Sequence, residues 1–174
     1  MNIYVIAGVV TFVYLLMTFR RVPEATGAET NLLKNILDNY GGFAESISVE
    51  TNVPTTLILS VIRMESAGDP DARGSIGEVG LMQLTEAAWE DITRFSGMAW
   101  RVTGIPRDPY SNILAGTHYL LICNERMGGS IEVPHWFDAL RAYNVGASRA
   151  FAGVRGTNYA SRVEAFQRLF ERGL

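Results

Sequence analysis

Hydrophobic and polar positions divide this 174-residue chain into two regimes. From Ile3 to Phe19 the chain runs without a charge, and nothing polar recurs often enough to define a solvent face. Beyond residue 30 apolar residues return at intervals of three and four, the spacing of an amphipathic helix. Leu32, Leu33, Ile36 and Leu37 predict a helix from Asn31 to Tyr40, stopped by Gly41-Gly42, with a second short helix over Phe43 to Thr51. Pro54-Thr55 opens a third, running to Ser66. Gly68 to Gly80, rich in Gly, Asp and Pro, predicts a loop. Thr85 caps a further helix carrying Trp89, Ile92 and Phe95. Gly97 to Pro109 reads as irregular, and helices follow over Ser111 to Met127, Pro134 to Tyr143 and Asn158 to Arg172. Strand patterns are almost absent and no repeat is visible, so the fold class is mostly α.

The seventeen residues from Ile3 to Phe19 cover about 25 Å as a helix, the lower limit for a bilayer core of about 30 Å. Tyr4, Tyr14, Arg20 and Arg21 suit its interfaces. The expected organisation is a transmembrane anchor over 1–21, a linker over 22–30 and one domain over 31–174. A cleaved signal peptide stays open, because Ala25-Thr26-Gly27 resembles a small-residue cleavage site; against it, the charges follow the apolar run instead of preceding it. Those arginines also favour a cytoplasmic side for everything downstream.

A net charge of −3 and the lack of a basic run with interleaved aromatics argue against nucleic acid as a partner. The late arginines Arg141, Arg149, Arg155, Arg162, Arg168 and Arg172 read as a solvated helix face, with acidic wall peptides or anionic lipid as the alternative. Cys123 is the one cysteine and sits in an apolar run, as a small core residue would. His118 and His135 are too few and too scattered for a metal site, and none is expected.

Candidate chemistry begins on the helix that ends at Glu65. Leu57, Val61 and Glu65 are four apart and share one face. A carboxyl on that apolar face is either paired, with Arg63 or Arg73, or desolvated with its pKa raised. The adjacent helix C-terminus pushes it the same way. A carboxylic acid protonated near neutral pH can protonate a leaving oxygen. Gln83, after Gly80-Leu81-Met82, is one amide among apolar neighbours. Tyr143-Asn144 precedes a turn at Gly146, and Tyr159 opens the last helix. Singly, each is a cap, a stop or a core ring.

Together, Glu65-Ser66, Gly80-Leu81-Met82-Gln83, Asn112-Ile113 with Gly116, Ala142-Tyr143-Asn144-x-Gly146 and Asn158-Tyr159 resemble the lytic transglycosylase domain of the soluble-lytic-transglycosylase, goose-lysozyme-like family, over about residues 31 to 170. The resemblance implies a lysozyme-like helical domain with a substrate cleft. It implies cleavage of the β-1,4 bond between N-acetylmuramic acid and N-acetylglucosamine in peptidoglycan, without a cofactor, leaving 1,6-anhydromuramic ends. Glu65 would be acid and then base. Ser66 would orient that carboxyl or the sugar's acetamido group, Gln83, Tyr143 and Asn144 would line the cleft, Met82 would pack on sugar, and Tyr159 would steady Glu65.

Glu78, thirteen residues after Glu65, is the candidate auxiliary acid of a lysozyme-type hydrolase, which would activate water instead; a solvated loop acid or an Arg73 partner is the plainer reading. A non-catalytic glycan-binding membrane protein is the third alternative. A wall-cutting domain belongs on the periplasmic side of the anchor; the internal membrane of a phage virion would also reconcile it with Arg20 and Arg21.

Overall fold

The computed structural model describes residues 25–95, 104–154 and 158–173. The expected anchor over 1–21 lies outside these residues. Among those described, no helix is long and apolar enough to cross a membrane. Seven helices are described: α1 (Gly27–Thr51), α2 (Thr55–Glu65), α3 (Glu86–Phe95), α4 (Pro109–Arg126), α5 (Trp136–Val145), α6 (Ala147–Phe151) and α7 (Tyr159–Glu171). Extended structure among the described residues amounts to isolated bridges pairing Arg73 with Val79 and Val79 with Leu84.

Helix α2 is the hub. Its six consecutive residues Leu57 to Ile62 are all buried, the pattern of a helix enclosed on every side rather than laid on a surface. It packs against both α1 and α7, while α4 packs against α3 and α5, and α5 also meets α6 and α7. Buried side chains from all of these form one core.

Helix α1 differs from expectation at both ends. Residues 27–30, expected in a linker, form its first turn, capped by Thr26, whose side chain accepts the Glu29 amide at 3.2 Å. The helix then runs unbroken through Gly41-Gly42, where a stop and a second helix were expected. Buried Leu33, Ile36, Tyr40, Ala44, Ile47 and Thr51 continue one stripe across the glycines, and that shared face outweighs a propensity cost of about 1 kcal/mol per glycine. The stop comes at Asn52, which takes a left-handed φ of 58°. Other expected elements stand within a few residues. Thr85 caps α3 by accepting the Ala88 amide at 3.1 Å, and Asp108 caps α4 by accepting the Ser111 amide at 3.0 Å. The short α6 has no counterpart in the sequence pattern.

The irregular stretch between α2 and α3 folds back over α4. Gly116 permits this, because a Cβ there would overlap the Met82 side chain, which is fully buried. The two helical glycines therefore predict opposite outcomes. Gly116→Ala should destabilise by about 1–3 kcal/mol through overpacking, whereas Gly42→Ala, with open space around the new methyl, should stabilise by about 0.5–1 kcal/mol. Thermal melts of the two variants check this, with about 2–4 °C per kcal/mol.

Candidate active site

Glu65 is the last residue of α2 and Tyr159 the first of α7. Packing of these two helices closes a bond between residues 94 apart in sequence: the Tyr159 hydroxyl donates to Glu65 Oε1 at 2.5 Å. Tyr159 is buried, and Glu65 keeps only partial exposure. Burial of its carboxyl raises the pKa from 4.5 to about 7. The Tyr159 bond opposes this, since a donor favours the ionised form, and the charge of Glu78 adds to the rise.

The cation nearest in sequence does not help Glu65 ionise. Arg63 reaches across to α1 instead, where its Nε and Nη2 bond the two Glu29 oxygens at 2.7 and 2.9 Å. The guanidinium also lies 4.7 Å from the centre of the Phe166 ring. This fork holds Glu29 below the usual carboxylate range, chiefly through the hydrogen bond from Arg63. Of the two outcomes open at the sequence level, paired or desolvated, Glu65 takes the second.

A second tyrosine lies within electrostatic reach of the same carboxyl. Tyr143, near the end of α5, gives its hydroxyl proton to the Met82 carbonyl at 2.7 Å. Its phenol is pushed well above the usual range, first by burial and then by the charge of Glu65. Its ring meets Tyr119 edge-on, 5.1 Å between centres. Beneath lies Cys123, fully buried, its thiol pushed up to about 12 by burial; a thiol so hard to ionise is a core residue and no nucleophile.

Gly80 to Leu84 forms a tight turn held by side chains. Gln83 takes a left-handed φ of 46°, a strained choice for a residue with a side chain. Its Nε2 donates to the carbonyls of Gly80 at 2.8 Å and Ala72 at 3.2 Å. Asn112, fully buried on α4, accepts the Met82 amide at 2.9 Å and donates to the Pro106 and Val79 carbonyls at 2.9 and 3.2 Å. Gly80 must lack a side chain here: its φ is +76°, and a Cβ would lie 2.6 Å from the Asn112 amide nitrogen.

Of the residues singled out in the sequence, Glu65, Tyr143 and Tyr159 come together, and Met82 joins them through its carbonyl. The Met82 side chain is packed on Gly116 rather than turned toward a cleft. The Ser66 hydroxyl donates to the Ile62 carbonyl at 3.2 Å and accepts the Gly68 amide at 3.2 Å; it finishes α2 and is not bonded to Glu65. Asn144 is exposed at the end of α5. Glu78 forms no ion pair with Arg73; its carboxylate accepts the Ile76 amide of its own loop at 2.9 Å. Sequence reasoning assigned no role to Glu29, which was placed in a linker, or to the Asn112 side chain. A buried amide could have been suspected at Asn112, the polar residue beside Ile113 at the start of an apolar helix.

The transglycosylase SLT domain matches residues 43–162. The chain is 35% identical over 150 residues to the membrane-bound lytic murein transglycosylase C of Salmonella arizonae, covering 76% of this chain and 41% of that protein. It is 33% identical over 115 residues to the membrane-bound lytic murein transglycosylase F 2 of Alkalilimnicola ehrlichii, covering 66% of this chain and 24% of that one. The chain thus spans less than half the length of these curated relatives. Its fold is similar to an inactive mutant of the lytic transglycosylase Slt from Pseudomonas aeruginosa, with a TM-score of 0.67 at 21% identity, covering 78% of this chain and 24% of that one. It is similar also to the 70 kDa soluble lytic transglycosylase of Escherichia coli, with a TM-score of 0.63 at 21% identity over 84% of this chain and 27% of that one. With 120 of its 174 residues inside the family match, a helical fold shared with solved transglycosylases and a desolvated glutamate closing α2, this chain belongs to the transglycosylase SLT domain family.

Proposed function

We propose that this chain is a peptidoglycan lytic transglycosylase that cuts the β-1,4 bond between N-acetylmuramic acid and N-acetylglucosamine, with Glu65 as acid and base. The observation that carries the proposal is the desolvated Glu65 carboxyl at the end of α2, bonded to the Tyr159 phenol and held in no ion pair among the described residues. Tyr159 occupies Oε1 with its own proton, so the acid proton of Glu65 belongs on Oε2. From there it passes to the bridging oxygen as the bond from that oxygen to the anomeric carbon breaks. The substrate's own acetamido group covers the developing positive charge, an exception to the two-carboxylate scheme. Glu65, now a carboxylate, removes the proton of the muramic 6-hydroxyl, whose oxygen bonds to the anomeric carbon. The acid is regenerated and no water is consumed.

The remaining assignments belong to the same proposal. Tyr143, Gln83 and Asn144 border the substrate, Met82 contributes its carbonyl, and Ser66 shapes the chain beneath the acetamido group. Residues 1–21 anchor the protein, 22–26 link it, and the domain faces the wall from the outer side of the membrane, a reading supported by the names of the membrane-bound murein relatives. The role would be local opening of the wall, in phage entry or beside envelope-spanning machinery.

A hydrolase is the second reading, favoured by one observation: the Glu78 charge reaches Glu65. Mass spectrometry of digested sacculi separates the two, because anhydro ends are lighter by one water. Anhydro ends are expected.

The pH dependence of kcat/KM should fall on an alkaline limb near pH 7, where Glu65 loses its proton. Tyr159→Phe removes a bond that favours the carboxylate, so the limb should move to higher pH. Glu78→Gln removes a neighbouring negative charge, so the limb should move to lower pH while anhydro products persist. Rate profiles of both variants check the signs.

Glu65→Gln should cut the rate by about 10²–10⁴ and also stabilise the fold at alkaline pH. A carboxyl near 7 in the folded chain and 4.5 in the unfolded one holds its proton longer when folded, so stability falls as pH rises from about 4.5 to about 7. That loss is at most roughly 3 kcal/mol, and the amide avoids it. Melting curves should place the variant above the parent at pH 8, with the gap closed at pH 4.

A further inference from the structure

We propose that Arg63 is a positioning residue for the reaction: held by Glu29 and laid on Phe166, it fixes α7 against α2 so that the Tyr159 hydroxyl stays bonded to the Glu65 carboxyl. The proposal rests on the reading of Glu65 as the acid. Two contacts join the same pair of helices. Glu65 at the end of α2 meets Tyr159 at the start of α7. Arg63, two residues before Glu65, meets Phe166, seven residues after Tyr159. Seven residues are close to two helical turns, so Tyr159 and Phe166 lie on one face of α7. Buried Val163 and Phe170 continue that stripe. A movement of α7 that lifts Phe166 from the guanidinium therefore moves Tyr159 as well.

Apolar burial brings α7 onto α2, but it is non-directional and does not by itself fix how far along or around the helix sits. The Arg63 contacts are directional. Its Nε and Nη2 bond the two Glu29 oxygens at 2.7 and 2.9 Å, a fork that fixes where the guanidinium lies. From there it reaches the Phe166 ring, 4.7 Å from the centre, within range of a cation–π attraction. The Arg63 and Glu29 side chains are only 17% and 24% exposed, so salt screens the pair less than it would at an open surface. This hold falls on a helix whose start lacks one of its own: Asn158, at the N-cap of α7, makes no capping bond with its side chain. Arg63 thus acts through α7 and Tyr159, and not on the acid itself.

The test is a carbon-13 NMR titration of Glu65 in the full chain labelled at glutamate. The Tyr159 donor favours the carboxylate, so weakening its bond raises the Glu65 midpoint. Phe166→Leu and Arg63→Lys both preserve charge, and lysine has neither the fork nor the planar face. Each should raise the midpoint by about half a pH unit, and neither should move it further in the Tyr159→Phe background. Glu29→Gln separates position from charge. Removing a negative charge would by itself lower the midpoint, whereas release of Arg63 raises it. On glycan strands, Phe166→Leu should lower kcat about tenfold with KM within about twofold. A fall with Glu29→Gln, no shift in folded Phe166→Leu or Arg63→Lys protein, equal shifts in the Tyr159→Phe background, or kcat at the parent level overturns the proposal.

A second measurement needs no variant. In the parent chain the Arg63 Nε proton should exchange slowly and show a nuclear Overhauser contact to the Phe166 ring. Fast exchange without that contact overturns the proposal equally. Neither titration nor exchange requires turnover. A chain that shows these signatures but releases no cleaved glycan supports the hold on Tyr159 and refutes the activity instead.

Discussion

Everything in the site depends on keeping one carboxyl without a counter-ion. A carboxylate two residues from an arginine would ordinarily find it, and an ion pair would hold the acid below the range where it can donate a proton near neutrality. Here the guanidinium is drawn across α2 to Glu29 in a two-pronged bond and laid against Phe166. Glu65 is left with a phenol as its partner. A phenol steadies the carboxyl without supplying charge, so burial remains the dominant influence.

The second constraint concerns backbone. Between α2 and α3 the chain has almost no regular structure, yet it delivers a carbonyl to within bonding distance of Tyr143. Side-chain amides replace the missing ladder: Gln83 ties Ala72 to Gly80, and Asn112 ties Val79 and Met82 to α4. Rigidity in this stretch comes from a few saturated amides inside the protein, where an unmade bond would be costly. The strained φ at Gln83 is tolerated because its side chain closes the loop that imposes it.

Much of this was legible in the sequence. The apolar face carrying Leu57, Val61 and Glu65 announces a carboxyl that is either paired or desolvated, and the ordered motifs say which other residues to watch. Most of the helices follow from spacing, and the cap Thr85 from residue type, whereas the Asp108 cap goes unread because the pattern begins that helix at Ser111. What stayed hidden was set by contacts distant in the chain. Gly41-Gly42 reads as a stop because propensity is local, while the stripe that carries α1 through it is completed by α2 and α4. Glu29 and Arg63 are 34 residues apart, and nothing in their spacing announces a pair. The resemblance casts Met82 as a surface for sugar; only the packed structure reveals that its side chain lies on Gly116 and its carbonyl meets Tyr143.

The place of Glu29 bears on how far this domain can be trimmed. The family match begins at residue 43, well after the first turn of α1, and trimming to that boundary would look harmless by homology. It would also release Arg63 from its tether. That cut would strip Leu33, Ile36 and Tyr40 from the core and leave a guanidinium without its anion on the helix that ends at Glu65. The unit that folds with its cation held in place therefore starts before the family match does, at the first turn of α1.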